Sequence, residues 1–145
     1  MLRAFARYPP SKGTTFFSFF AGEEQGLYGS KFNAQRIVAD GNRAKVKAVY
    51  CHDMIGYYSN NYGVLLETQR QYESTLLTPY ATAKSTYLPS SALRLSYSFS
   101  PFGSDHVSYL DQGMPALLGK FTFFLNNFFV IFFPFALKSH RSGLG

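Results

Sequence analysis

The chain has 145 residues, a mass of 16.3 kDa and a net charge of +6, from Lys+Arg 14 against Asp+Glu 8. This length fits one domain that buries about two-thirds of its unfolded surface. With 46% hydrophobic and 15% charged residues, against ~25% charged in ordinary soluble domains, the chain is too apolar and aromatic for intrinsic disorder. A single cysteine, Cys51, excludes an intramolecular disulfide framework and a cysteine-cluster zinc site. No repeat suggests a solenoid or propeller. The basic residues are scattered, with one small cluster at Arg43, Lys45 and Lys47, which argues against a nucleic-acid surface.

In chain order, Met1–Arg7 reads as the end of an amphipathic helix broken at Pro9–Pro10, with no secretory signal visible. Thr14–Ala21 is a short run of β-formers, predicted as a buried strand with Phe16, Phe17, Phe19 and Phe20 in the core. A loop, Gly22-Glu23-Glu24-Gln25-Gly26, comes next. Ser30 is placed as the cap of a helix that runs to about Ala39 and ends at Asp40-Gly41. Lys45–Cys51 is a second strand, leading into His52-Asp53-Met54-Ile55-Gly56, and Tyr62–Glu67 a third. A helix is expected from Gln69 to about Ala83, interrupted by Pro79, and a strand over Leu93–Phe99. Ser104 is placed as the cap of a short helix ending at Gly113, and Met114–Leu118 starts another buried strand. This alternation predicts an α/β fold: a three-layer sandwich with a mixed, mostly parallel sheet.

The end of the chain changes composition after Gly119. Phe121–Leu137 carries no charge and is rich in Phe, yet it is slightly short of the about 20 apolar residues of a spanning helix and contains Asn126, Asn127 and Pro134. Three readings compete for it, a marginal membrane segment, a buried strand pair or non-native sequence, and the third is favoured; the expected organisation is a domain over 1–119 and a Phe-rich tail over 120–145 that is non-native or disordered.

Three acidic positions come directly after segments that read as strands, where open α/β sheets gather their ligands. The first strand ends at Glu23-Glu24, the second at Asp53, and the fourth is followed by Ser104-Asp105-His106. Adjacent carboxylates suit metal-assisted hydrolysis, because one can ligate while its neighbour accepts a proton from metal-bound water. Taken singly, each has a plainer reading: a solvated loop, a turn residue, a helix cap.

Together the segments Phe20-Ala21-Gly22-Glu23-Glu24-Gln25-Gly26-Leu27-Tyr28-Gly29-Ser30, Asp53-Met54-Ile55-Gly56, and Ser104-Asp105-His106 with Leu110-Asp111-Gln112-Gly113-Met114-Pro115-Ala116 closely resemble, in order and spacing, the motifs of the co-catalytic zinc aminopeptidases, peptidase family M28. The resemblance covers roughly residues 2–119. It implies a zinc exopeptidase-like fold and a metallo-exopeptidase acting on the N-terminal residues of peptide substrates. Glu23 is then the general base, Glu24 a ligand of one zinc and Asp53 of the other. Ser104, Asp105 and His106 shape the pocket edge, His106 without ligating.

Two departures qualify the resemblance. The family's His and bridging Asp upstream of the glutamate pair have no counterpart, since the first 22 residues contain neither type. Its last histidine ligand, downstream of the Pro-Ala-Leu strand, falls in the Phe-rich region, where His140 does not match. Only two of five metal-binding residues are present, so the expected chain is truncated at both ends and impaired in catalysis. The alternative is a non-catalytic binding domain that keeps the peptidase fold. Family members are often secreted, vacuolar or lysosomal, and neither compartment nor oligomeric state is legible in the residues.

Overall fold

The structure is a computed structural model that describes residues 2–7, 13–54, 62–89, 93–125 and 128–130. Pro9–Pro10, Ile55-Gly56 and the tail from residue 131, His140 included, lie outside the described residues. The elements are α1 (Leu2–Arg7), α2 (Tyr28–Ala39), β1 (Val49–Asp53), β2 (Tyr62–Glu67), α3 (Thr78–Tyr87), β3 (Arg94–Ser98), α4 (His106–Leu110), β4 (Ala116–Leu125) and β5 (Phe128–Val130). The sheet is mixed, in the order β1-β4-β2-β3, with β5 also on β4. β1–β4 and β2–β3 pair in parallel, whereas β2–β4 and β4–β5 pair antiparallel.

Alternation along the strands divides the core between two faces. On one, Ala116 packs with Ala34 of α2, Tyr109 and Leu110 of α4 and Met114, with Phe20, Ile37 and Val49 partly buried against them. On the other, Leu117, Val64 and Leu66 pack against Leu76 and Leu77. Helices thus cover both faces of the sheet, an α/β sandwich as expected. Leu66, Leu76 and Leu117 have at most 1% of their surface exposed, and each such side chain contributes about 2 kcal/mol by leaving water.

The middle helix is a composite. A 3₁₀ turn over Arg70–Tyr72 runs into a π turn over Glu73–Leu77 and then into α3, which has Pro79 in its first turn. Proline has no N–H to donate, so it is tolerated where a helix begins. The interruption expected at Pro79 is a change of helical winding rather than a break.

Other boundaries differ from the sequence reading for local reasons. Residues 14–20 form no strand. Phe16 and Phe19 are exposed at 84% and 86%, whereas Phe20 turns inward, its ring 6.3 Å from that of Tyr109. A run of β-formers becomes a strand only against a partner ladder, and none of the sheet's pairings includes this segment. The second strand starts at Val49 rather than Lys45, because Arg43–Lys45 coils into a 3₁₀ turn; Asp53 is consequently the last residue of β1. Ser30 does not cap α2. Leu27 holds the cap position in the left-handed conformation (φ 63°), and buried Ser30 donates to Leu27 O at 3.2 Å and lies 2.8 Å from Ser108 Oγ, joining α2 to α4. The strand expected from Met114 is β4, which starts at Ala116 and runs to Leu125.

The glutamate loop is anchored by backbone contacts. Gly26 N and Leu27 N donate to Glu23 O at 3.1 and 2.9 Å, Tyr28 N to Gly22 O at 3.0 Å, and Gly29 N to Ala21 O at 3.1 Å. Any Cβ at Gly29 would sit 2.7 Å from Ala21 O and 3.0 Å from both Ala21 N and Phe20 Cβ. Gly29→Ala therefore has to push residues 20–21 away from α2. Urea unfolding is expected to show a loss of about 1–3 kcal/mol; an unchanged midpoint would refute the close approach.

Candidate functional site

The rim at the end of β1 collects the charged groups. Parallel register sets Asp53 beside Lys120 of β4, and antiparallel register sets Lys120 beside Leu65 of β2. Lys120 Nζ lies 3.5 Å from Asp53 Oδ2, and its side chain is 9% exposed against 18% for Asp53. Ser104 Oγ donates to the same oxygen at 3.2 Å. Ser104 was expected to cap α4, but that helix has no side-chain cap. Its hydroxyl is committed to the strand end instead, while its carbonyl accepts from Val107 N at 3.0 Å.

Glu23 faces this rim. Its carboxyl is raised above the ordinary range by burial first, then by the charges of Glu24, Asp53 and Asp105, with Lys120 acting the other way. These acids are therefore near enough to feel one another. Asp105, just ahead of α4, carries a buried Oδ1 with no hydrogen-bond partner. Nearby Cys51 is no nucleophile, since burial, with Asp105 and Asp53, pushes its thiol up to about 12. His52 alternates onto the opposite face from Asp53, and burial holds its imidazole below the ordinary value.

His106 belongs to a second, buried pair that the sequence reading did not assign. Fully buried, it places Nε2 3.3 Å from Glu67 Oε1 at an angle short of a hydrogen bond, and Nδ1 has no partner. Glu67 Oε1 accepts the Phe102 N–H at 2.8 Å, and Thr68 beside it donates to Ala116 O at 2.6 Å. Burial raises the Glu67 carboxyl, but His106, the Phe102 N–H and Ser98 outweigh it, and the net direction is down. This pair holds the segment between β3 and α4, and so steadies Ser104 on Asp53. A glutamate ending the apolar run Tyr62–Glu67 was the available signal for it. For Lys120 the signal was one cation inside Ala116–Leu125.

The donor set does not fit a metal pair. Among the described residues no three His, Cys, Asp or Glu side chains are grouped to hold an ion, whereas a zinc site draws three or four protein ligands. One of the two expected ligands, Asp53, already faces an ammonium.

Peptidase family M28 matches residues 1–130, and the chain belongs to that family. Among solved structures it is similar to an aminopeptidase from Aneurinibacillus sp. strain AM-1 (27% identity, TM-score 0.50, covering 70% of this chain and 23% of that one). It is also similar to the LapA aminopeptidase of Legionella pneumophila (30% identity, TM-score 0.56, covering 76% and 30%). The chain thus spans less than a third of these neighbours' length. A search of curated proteins gives no match.

The Glu67 contacts predict a pH effect. A carboxyl lowered in the folded state adds stability above its unfolded pKa and loses it as pH falls through the folded value. Glu67→Gln, which keeps the acceptor for Phe102 but removes the charge, is expected to cost about 1 kcal/mol at pH 7. Thermal unfolding between pH 7 and pH 3 should show the gap to wild type narrowing below the ordinary glutamate pKa. A gap independent of pH would remove the charge from the account.

Proposed function

We propose that this chain carries the acidic rim of an aminopeptidase-type exopeptidase, hydrolysing the N-terminal bond of a peptide, with Glu23 as the proton acceptor, Glu24 as the metal-facing carboxylate beside it and Asp53 as a rim carboxylate paired with Lys120. What supports the reading is the carboxyl of Glu23, raised by burial and then by the charges of Glu24, Asp53 and Asp105, in a chain of a peptidase family. A raised carboxylate binds a proton more readily at neutral pH, which is the property of a general base. Ser104 orients Asp53, and Glu67 with His106 steadies the segment bearing Ser104.

Because the described residues do not complete a metal set, we expect the 145-residue chain itself to turn over peptides only weakly. The Asp53–Lys120 pair also favours a second reading, a peptide-binding domain that has kept the fold without the chemistry. Cleavage of leucine p-nitroanilide by the purified chain, with zinc added, separates these. The expected result is weak turnover that falls ~10²-fold or more in Glu23→Gln. Turnover indifferent to that substitution would remove Glu23 from its role, and robust turnover would overturn the expected impairment. Peptide binding without any cleavage would establish the second reading.

A further inference from the structure

We propose that the Lys120 ammonium is the resident cation of the acidic rim: it occupies Asp53 in place of a divalent ion, so that this chain does not bind zinc through Asp53 while Lys120 is present. The inference rests on Asp53 being a rim carboxylate, as in the proposed function.

Lysine is seldom buried without a partner, yet Lys120 is 7% exposed. Its flanking positions in the sheet are Asp53 and Leu65, and Leu65 offers no side-chain acceptor. The ammonium accordingly lies against Asp53 Oδ2. That oxygen also accepts from Ser104 Oγ, so two donors converge on one oxygen of the carboxylate. A divalent ion at this carboxylate would be a like charge beside a desolvated ammonium, which is strongly unfavourable. The pairing is set by backbone register, since residues opposite each other on adjacent strands present their side chains to the same face. It therefore does not depend on a mobile surface lysine reaching across the rim. Elsewhere on the rim the acids stay in excess, and the Lys120 charge only partly relieves Glu23.

The test uses the full chain and zinc chloride in calorimetric titrations at pH 7, with Lys120→Gln, Asp53→Asn and the double variant. Wild type and Asp53→Asn are expected to bind zinc with affinities within threefold of each other, because Asp53 is already taken. Lys120→Gln is expected to bind at least tenfold more tightly than wild type, and the double variant to lose that gain. Urea unfolding of the same four proteins should show coupling, the double variant's equilibrium constant departing at least threefold from the product of the single effects. A tenfold loss of zinc affinity on Asp53→Asn in the wild-type background overturns the proposal and needs no change at Lys120; so does an unchanged affinity in Lys120→Gln, or strict additivity. If Lys120→Gln does not fold, Lys120→Met takes its place in both measurements. Zinc held through Asp53 in wild type would sink this inference and leave the peptidase reading standing. Leucine p-nitroanilide turnover that survives Glu23→Gln would sink the Glu23 assignment and leave the zinc comparison readable.

Discussion

The ion pair between Asp53 and Lys120 is the contact on which the rim depends. Asp53 ends β1, which pairs only with β4 among the described residues, and Lys120 lies on β4, flanked on both sides. A buried charge of either sign alone would be costly. Side by side, each removes most of the other's cost, and Ser104 supplies a further donor. The consequence is local neutrality at the strand end and persistent negative charge at the glutamate loop, because one ammonium faces several carboxylates. Charge is therefore unevenly distributed around the rim: Asp53 is satisfied, while Glu23 is not.

Beneath this lies a second layer of polar contacts with a purely positional effect. Glu67 ends β2, Asp53 ends β1, and the segment leading into α4 must meet both. The Phe102 N–H goes to Glu67, the Ser104 hydroxyl to Asp53, and the ring of His106 comes back to Glu67. These contacts fall at alternate residues, so the segment is held at both strand ends. His106 is thus used inside the fold, facing a carboxylate of β2 rather than the acids of the rim. Its neighbour Asp105, with an unpartnered buried oxygen, adds negative charge that helps raise the Glu23 carboxyl and the Cys51 thiol.

Much of this was legible in the residues, and the failures have definite causes. The strand Tyr62–Glu67 was readable to the residue, because a run rich in β-formers and buried on both faces is bounded by a polar stretch on either side. The acids of the rim were readable because apolar strands ended in them. What could not be read was pairing. Nothing in Lys120 taken alone says that it faces Asp53; that emerges only once β4 lies parallel to β1 in a particular register. The two serines were misplaced for a related reason. Ser30 and Ser104 have the residue type of a helix cap, but each sits where a tertiary partner competes for its hydroxyl, Ser108 in one case and Asp53 in the other. A long-range acceptor outweighed the local N–H that capping would have satisfied.

The segment before the glutamates shows why the loop does not depend on the strand expected ahead of it. Residues 14–20 form no strand, yet Glu23 still reaches the rim, so its position must be set from the α2 side of the loop. Gly29 lets the first turn of α2 lie directly on Ala21, at a separation no side chain would allow. Leu27, in a left-handed conformation that costs a non-glycine residue roughly 1–2 kcal/mol, lets its N–H and that of Gly26 converge on the carbonyl of Glu23. That strain is offset by the packing of α2 through Ala34 onto α4 and β4. The carboxylates are therefore positioned by helix docking, and the same docked pair of helices carries Asp105 and His106. Both halves of the rim are referred to one packed interface, α2 on α4, which explains how an acidic edge assembles around β1 without a neighbouring strand on its other side among the described residues.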